Sequence, residues 1–483
     1  MKRRHGPSEA GFGVRIALIH YHLYRGGVTS VLSHQAAALE EAGDEVLVIS
    51  GEGGEEFSFP RVNLEELRYD SRRELSAPSV EDASFLAEKI LRVMEAHWGS
   101  PADVVHVHNP LIQKNSLLLP ALHLLNQQGI KLLLQNHDLA EDFRPDVYIG
   151  QGDYPENCHY GVINSRDYSF LRRAGLSSEG LHLIPNEVVP LEVEPGWERD
   201  LYLYPVRAIR RKNLGEALLL SCFIPEGRTL AVTLPPTSGK DEGTYIHWKT
   251  LAKSLNLPVE FDAGVNGSFS ALVSRSLSVI TTSVKEGFGF SFLEPWTAFR
   301  SVMGRRLDYV CRDFETAGVS FNSLYDALSV PMVYLPEPVL KKKMEKALET
   351  TCRSFSLAVP PYLSKMLSDD IASRDSFDFG RLDEELQTGI IQTAAANRSA
   401  RQDLIDINPF LAQFAHREED GELIRYNREK ILASYGREKI VSSLRETYRR
   451  VMETDVVHKL SRSVLLELYL DPLKLSLIGI GHD

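Results

Sequence analysis

Cysteine is scarce in this chain. Four occur among 483 residues, at Cys158, Cys222, Cys311 and Cys352, and no two stand in a CxxC spacing. That spacing record excludes a zinc ribbon and a thioredoxin-type redox pair, and the thiols suit a reducing compartment. Long apolar runs are also missing. None reaches the roughly 18 residues of a membrane-spanning helix, and the apolar stretch after Ser463 is broken by Glu467, Asp471 and Lys474. Met1 to Gly13 is basic and polar and has no apolar segment of a secretory leader. Positive charge is in deficit: 54 Lys and Arg stand against 66 Asp and Glu, a net charge of -12. A general nucleic-acid binder needs a basic face and is excluded, although a local basic pocket inside an acidic protein is not. No short-period repeat is visible. The expectation is a soluble cytoplasmic protein without a transmembrane segment, with peripheral membrane contact and oligomeric state left open.

What is present is ordinary globular material. Hydrophobic residues make up 43% and charged residues 25%, enough for a large core, and roughly 150 residues per domain gives two or three domains. Apolar segments alternate with helical periodicity. Arg15–Ile19 reads as a strand, a loop follows with Gly26 and Gly27, and Val28, Val31, Leu32, Ala36 and Leu39 recur at helical spacing before Gly43. Glu45–Ser50, Asp103–Val107, Ile130–Leu134, Tyr160–Ile163 and Leu181–Ile184 are further strands, with a helix over Gln113–Gln128. The segment Val188–Asp200, with Pro190, Pro195 and Gly196, interrupts the rhythm. It restarts with strands at Leu201–Val206, Thr229–Leu234, Pro258–Phe261 and Ser278–Thr281 and helices at Leu214–Cys222 and Tyr245–Asn256. Such alternation implies parallel sheets covered on both faces. The expected division is a first α/β domain over 1–195, a second over 196–335, a charged, mainly helical insertion with no strand rhythm over 336–420, and C-terminal helices over 421–483, including one long helical stretch at Arg425–Val451.

Ligands of open parallel sheets bind beyond the C-terminal strand ends, and several polar residues fall there. Gly26 and Gly27 sit at a strand-to-helix turn whose free N–H groups suit a phosphate or a sugar hydroxyl. His108 and Asn109 follow one strand, and His137 and Asp138 follow another, where an imidazole can hold a sugar hydroxyl or an acceptor. Of the neighbouring histidines, His106 alternates inward and reads as core, and His20 and His22 are open either way. Asp138, Glu141 and Asp142 form an acidic group that fits either a polyol contact or a solvated loop. Arg207 and Lys212, five apart across the next turn, can neutralise a diphosphate leaving group, while Arg210 and Arg211 are expected to face solvent. Glu286 and Glu294 frame EGFGFSFLE, where Gly287 and Gly289 allow close backbone approach beside Phe288 and Phe290. A helix is expected to begin near Gly289 with its N–H groups toward the cleft. Glu286 is placed to accept from sugar hydroxyls and Glu294 from a ribose diol.

Taken in order, these segments resemble the family-4 retaining glycosyltransferases of GT-B architecture. RGGV (Arg25–Val28), DVVHVHNP (Asp103–Pro110), NHD (Asn136–Asp138), HLIPNEV (His182–Val188), VRAIRRKN (Val206–Asn213) and EGFGFSFLE (Glu286–Glu294) run in the family's sequence, over about Arg15–Val319. The stretch Arg425–Val451 is similar to the family's terminal helix, which crosses back to the first domain. The resemblance implies two Rossmann-like domains facing a cleft and a nucleotide-diphosphate sugar, UDP- or GDP-linked, as donor substrate. It implies that Gly27 approaches the donor, His137 contacts the transferred sugar, Arg207 and Lys212 bind the diphosphate, Glu286 holds the sugar and Glu294 the ribose. His108, Asn109 and Asp138 fall on the acceptor side. Four features depart from the family pattern: Glu187 in place of Gly, Leu234-Pro-Pro236 in place of a Gly-rich turn, PWTAFRSV after Glu294, and the insertion.

The expected chemistry is front-face transfer of a glucose- or mannose-class hexose to a hydroxyl of a small soluble acceptor, with retained configuration. No Asp-x-Asp motif occurs, so fixed cations rather than a metal are expected to carry the charge, and no tightly bound cofactor is called for. A nucleotide-sugar epimerase, a phosphorylase of the same fold and a non-catalytic binding protein are the alternatives.

Overall fold

The near-continuous apolar segments become strands because both of their faces are covered by helices. A computed structural model describes residues 13–479 apart from 73–78, 149–153, 238, 266, 360 and 414–419. The basic residues 1–12 lie outside the described residues. Seven parallel strands make the first sheet: β1 (Arg15–His20), β2 (Glu45–Ser50), β3 (Arg61–Asn63), β4 (Val104–His108), β5 (Leu132–Asn136), β6 (His159–Val162) and β7 (Leu181–Leu183), in the order 3-2-1-4-5-6-7. Six form the second: β8 (Leu201–Arg207), β9 (Thr229–Leu234), β10 (Val259–Glu260), β11 (Ser276–Thr281), β12 (Ser301–Arg305) and β13 (Leu324–Tyr325), in the order 10-9-8-11-12-13. The strand order reverses between β1 and β4 and again between β8 and β11. These reversals open crevices at the strand ends. The fold is GT-B, two Rossmann-like α/β units facing one another.

Local chemistry explains where element bounds differ from those expected. The helix predicted from Gln113 begins at Leu118, because Asn115 Oδ1 accepts from the N–H groups of Leu117 and Leu118, each at 2.9 Å. Before it, Asn109 adopts φ 54° and starts a 3-10 turn at Pro110–Ile112. An unanticipated helix, Val80–Trp98, is bracketed by a Ser79/Asp82 capping box and by Gly99 at φ 73°.

The insertion is not strandless. Ser329–Pro331 pairs antiparallel with Ser376–Asp378, and Leu340, Met344, Leu348, Ile390 and Ile391 share one core with Leu218, Leu230 and Val232 of the second sheet's layer. An ion network joins the two. The buried Arg305 at the end of β12 bonds Glu216 at 2.6 Å and Asp378 at 2.7 Å, and Tyr325 Oη donates to Glu216 at 2.7 Å.

The C-terminal stretch is two helices, Gly421–Tyr435 and Arg437–Glu453, separated at Gly436. The first packs Ile424 and Ile431 against Phe314 and Trp296 of the second half. The second packs Ile440, Leu444 and Tyr448 against Ile16, Leu18 and Val104 of the first sheet. His106 is core, as its alternation predicts, and its Nδ1 meets Tyr448 Oη at 2.9 Å. Glu187, the departure from the family's Gly, has a structural use: it pairs with Arg437 at 3.0 Å, and Arg437 also reaches Glu41 at 2.8 Å. Among the described residues no helix is long and apolar enough to cross a membrane.

Candidate functional site

Both sheets aim their C-terminal strand ends at one cavity of about 260 Å³. Gly27 and Val28 border it from the first turn of the helix Gly27–Glu41, and His137 and Asp138 from the loop after β5. The second half supplies Arg211, Lys212, Glu286, the run Gly287–Ser291 and Glu294. The structure therefore brings together Gly27, His137, Asp138, Lys212, Glu286, Gly287, Phe288, Gly289, Phe290 and Glu294 of the residues expected from sequence. Gly26 stands just outside, as the N-cap of that helix.

Arg207 is not on the cavity wall, and Arg211 is. The reason lies in β8. Between Tyr204, opposite Val232, and Arg207, opposite Leu234, the strand carries one residue more than its neighbour. Pro205, which has no N–H to give to the ladder, stands within this bulge. The extra residue reverses the alternation beyond it, and the cation five residues before Lys212 loses the cavity. The expectation that Arg211 faces solvent is corrected with it. Arg211 bonds Glu286 Oε2 at 3.0 Å, and Lys212 Nζ contacts the other carboxylate oxygen, Oε1. Burial opposes the charge on Glu286, but Lys212 and Arg211 overcome it and hold the carboxyl at about 2. Burial likewise lowers Lys212 below the usual lysine range, and Glu286 works against that shift.

The turn bearing these cations is braced from behind. Thr282 Oγ1 donates to the carbonyls of Lys212 and Asn213, both at 3.0 Å. Gln387, from the insertion, donates to Asn213 Oδ1 at 2.9 Å, and Glu384 takes Arg210 bidentately at 2.6 and 3.0 Å. Glu286 is held at its backbone by Tyr309, whose hydroxyl accepts from the Glu286 N–H at 2.9 Å and donates to its carbonyl at 2.7 Å. Arg166 of the first half lies 3.9 Å over the Tyr309 ring. Spacing carries no signal for Tyr309 or Arg166, since both act through contacts distant in the chain.

Two glycines have a geometric reason. A Cβ on Gly287 would stand 2.9 Å from the carbonyl oxygen of His137, so the two halves meet there at a separation only glycine permits. Gly289 has φ 90°, in the left-handed region that favours glycine. The helix expected to begin there is interrupted. One 3-10 turn, Phe290–Phe292, leads into a four-residue helix, Glu294–Thr297. Arg300 closes that short helix by donating to the carbonyls of Val273, Ser274, Ala298 and Phe299. The PWTAFRSV departure thus ends the helix early, and this segment brings only a 3-10 turn and a four-residue helix to the cleft.

On the first half, His137 is backed rather than accompanied. Asn109 Oδ1 accepts from the N–H of His137 at 2.6 Å and of Asp138 at 3.2 Å. His108 Nδ1 meets His137 Nε2 at 3.0 Å. His108 is fully buried and Asn109 nearly so. Neither lines this cavity; both stand behind His137 and bond it. Burial depresses the His137 imidazolium to about 4, so the ring is neutral near pH 7, with Nδ1 as the nitrogen turned away from the His108 contact. Asp138 stays charged despite burial because Arg144, Arg211 and Lys285 face it. The solvated-loop alternative for Glu141 is also corrected. Glu141 is fully buried, accepts from Tyr154 Oη at 2.9 Å, and burial raises its carboxyl above the usual range. Glu294 lies at the far end of the cavity, where burial lifts its carboxyl to about 7.

Residues 26–186 match the family described as "Glycosyl transferase 4-like domain". Mannosylglucosyl-3-phosphoglycerate synthase of Petrotoga mobilis is 26% identical over 418 residues, covering 77% of this chain and 79% of that protein. Among solved structures, HepE of Anabaena in complex with UDP and glucose is similar with a TM-score of 0.53 and 13% identity, over 90% of this chain and 99% of that one. Sucrose-phosphate synthase of Thermosynechococcus elongatus is similar with a TM-score of 0.50 and 17% identity, over 90% of this chain and 98% of that one.

Proposed function

We propose that this chain, a family-4 glycosyltransferase of GT-B fold, moves a glucose- or mannose-class hexose from a nucleotide-diphosphate sugar to a hydroxyl of a small soluble acceptor, with retention at the anomeric carbon. The observation that carries the proposal is the triad of Arg211, Lys212 and Glu286 across one cavity from His137 and the first turn at Gly27. Two fixed cations beside a carboxylate suit a diphosphate next to a polyhydroxylated ring. The Petrotoga mobilis relative is named for a mannosylglucosyl product on phosphoglycerate, which agrees with a hexose donor and a small acceptor.

In this mechanism the bond from the anomeric carbon to the diphosphate oxygen breaks and its electron pair stays on that oxygen. Lys212 and Arg211, with Arg211 in the part first assigned to Arg207, turn from Glu286 toward the growing negative charge. Glu286 accepts from sugar hydroxyls, and neutral His137 bonds another hydroxyl through Nδ1. The acceptor oxygen attacks the same face, and its proton passes to the departing phosphate oxygen. Enclosure of the donor between the two halves limits its hydrolysis.

A thermal-shift screen of UDP, GDP, ADP and their glucose and mannose conjugates, with and without Mg²⁺, tests the proposal. A ligand at 100 times its dissociation constant adds about 2.7 kcal/mol to stability, so one base should give a clear upward shift. No shift with any nucleotide would overturn it in favour of a phosphorylase or a non-catalytic binder.

Glu294 gives the donor a pH signature. A ribose diol donates both hydroxyls to the ionised carboxylate, whereas the acid accepts only weakly, through its carbonyl oxygen. Binding therefore lowers the Glu294 pKa from its free value of about 7, and donor affinity rises with pH up to that value and levels off above it. A nucleotide-diphosphate sugar has no phosphate group titrating in this range, so calorimetry from pH 5.5 to 8 isolates Glu294. The rise should vanish in Glu294→Gln. An identical rise in that variant would remove Glu294 from the ribose role.

A further inference from the structure

His20, His106, His108 and His137 gather at the C-terminal ends of β1, β4 and β5, and only the last of them borders the donor cavity. The His108 ring stacks on His106, with centroids 4.5 Å apart, and on His137, with centroids 5.3 Å apart. It is fully buried. Its Nδ1 meets His137 Nε2 at 3.0 Å. Its Nε2 is buried without a hydrogen-bond partner among the described residues.

Burial keeps both rings neutral near pH 7, holding His108 well below the usual histidine range and His137 at about 4. A neutral imidazole has one N–H donor and one bare acceptor nitrogen, so the bond between the two rings has two directions open to it. If His137 donates, the His108 proton sits on Nε2, and a buried N–H goes unsatisfied. If His108 donates, the nitrogen left unpaired is a bare acceptor. Orphaned buried N–H groups are rarer in folded chains than orphaned acceptors, which favours donation by His108. The neighbouring imidazoles have their own protons engaged. His106 Nε2 faces Gln135 Oε1 at 2.9 Å, and Gln135 turns its amide N–H to the Ile184 carbonyl at 3.3 Å. His106 therefore donates through Nε2 and accepts from Tyr448 Oη at Nδ1. His20 Nδ1 faces the His108 carbonyl at 3.2 Å and donates to it.

We infer that His108 is a positioning residue: it donates from Nδ1 to His137 Nε2 and locks His137 as the Nδ1–H tautomer, a hydrogen-bond donor toward the donor cavity. His137 Nδ1 has no partner among the described residues and is the nitrogen left for a ligand. What this does in the reaction rests on the glycosyltransferase function proposed above. The sugar oxygen at His137 accepts a hydrogen bond from it. The ring offers the cavity no lone pair, so it does not take the proton of the acceptor hydroxyl, and that step is left to the departing phosphate oxygen. A ring held in the wrong tautomer fails at its task even where its position is right.

The test uses the full-length chain with ¹⁵N-labelled histidine. Two-bond ¹H–¹⁵N correlation spectra near pH 7 show which nitrogen of each neutral ring bears the proton, and the His137 and His108 signals are identified by their loss in His137→Gln and His108→Gln. Both residues should be protonated at Nδ1 and bare at Nε2. A proton on His137 Nε2, wholly or in a mixture, overturns the inference. Kinetics then separate the lock from packing. His108→Leu should lower kcat/KM for donor by about tenfold or more, whereas His108→Asn, whose amide can keep an N–H in the place of Nδ1, should stay within about threefold of wild type. Circular dichroism checks that both variants fold, and the spectra of the wild type decide the tautomer if His108→Leu does not. Equal losses in the two folded variants, or none in His108→Leu, reduce His108 to a packing residue and overturn its positioning role. If the wild type turns over no nucleotide sugar, the glycosyltransferase proposal falls, while the tautomer is still decided by spectra recorded without substrate.

Discussion

Lys212→Ala is expected to lower kcat/KM for donor by about 100- to 1,000-fold, a loss of roughly 2.7–4 kcal/mol of transition-state stabilisation. Its ammonium, buried at the end of the turn after β8, is the cation most sheltered from water in the site, with its side chain only 17% exposed against 31% for Arg211. In the proposed mechanism, charge that develops on the leaving diphosphate meets it where screening is weak. Glu286→Gln is expected to cost a similar factor for a different reason. The amide keeps the shape but accepts less strongly from sugar hydroxyls, and it leaves Lys212 and Arg211 facing each other without the carboxylate that organises them. Because the two residues are in contact, their losses should not add. The double variant should fall short of the summed effect by 0.5 kcal/mol or more, about the lower end of coupling for contacting pairs. Steady-state kinetics on the three variants, with folding checked by circular dichroism, make the comparison. Wild-type rates for Lys212→Ala at limiting donor would remove the cation from the mechanism.

Arg305→Met should be the most damaging single change to the fold, lowering stability by about 3–5 kcal/mol as one partner of a buried ion network is lost. Arg305 is 6% exposed at its side chain and Glu216 fully buried, and Asp378 brings a second carboxylate to the same guanidinium. Without the cation two carboxylates remain facing each other in the core between the second sheet and the insertion. Burial already pushes Glu216 above the usual carboxyl range with the arginine present. In the variant Glu216, losing the cation that opposes its burial, should take up a proton more readily. The deficit measured by urea unfolding should therefore be largest near pH 8 and shrink toward pH 5. Gly380 lies against the guanidinium, where a Cβ would stand 2.5 Å from Cζ, so the network is also tightly packed. A deficit under 1 kcal/mol at pH 8 would mean that water or a neighbouring cation replaces Arg305.

The architecture was readable because its signals are local. β1, β4, β5 and β11 are apolar runs with polar residues at their C-terminal ends, and the order of short motifs ties those ends to one cleft. Glu286, Lys212 and His137 come together because each lies within five residues of the C-terminal end of its strand. What escaped has identifiable causes. The Pro205 bulge shifts the alternation by one residue and exchanges Arg207 for Arg211 at the cavity. The position of His108 behind His137 depends on how neighbouring strands register, and Tyr309 reaches Glu286 across 23 residues. Glu141 looked like a surface acid because its partners, Tyr154 and Arg462, lie in other segments. The helix Val80–Trp98 was the avoidable miss, since Ser79, Asp82 and Gly99 mark both of its ends.

The helix Arg437–Glu453 has a consequence for the order in which the chain acquires its structure. It closes the core over β1 and β4, yet it is made some 330 residues after β4, as the contact of His106 with Tyr448 spans 342 positions. A domain ordinarily folds as a unit while it leaves the ribosome. Here the first sheet emerges with Ile16, Leu18 and Val104 covered on this face only in part, by Leu32, Ala36 and Leu39 of the helix Gly27–Glu41, and must wait through synthesis of the entire second half for its last layer. The nascent first half is therefore the stage at which a holding chaperone matters most, and a truncation that removes only the final helices should yield insoluble protein rather than an isolated first domain.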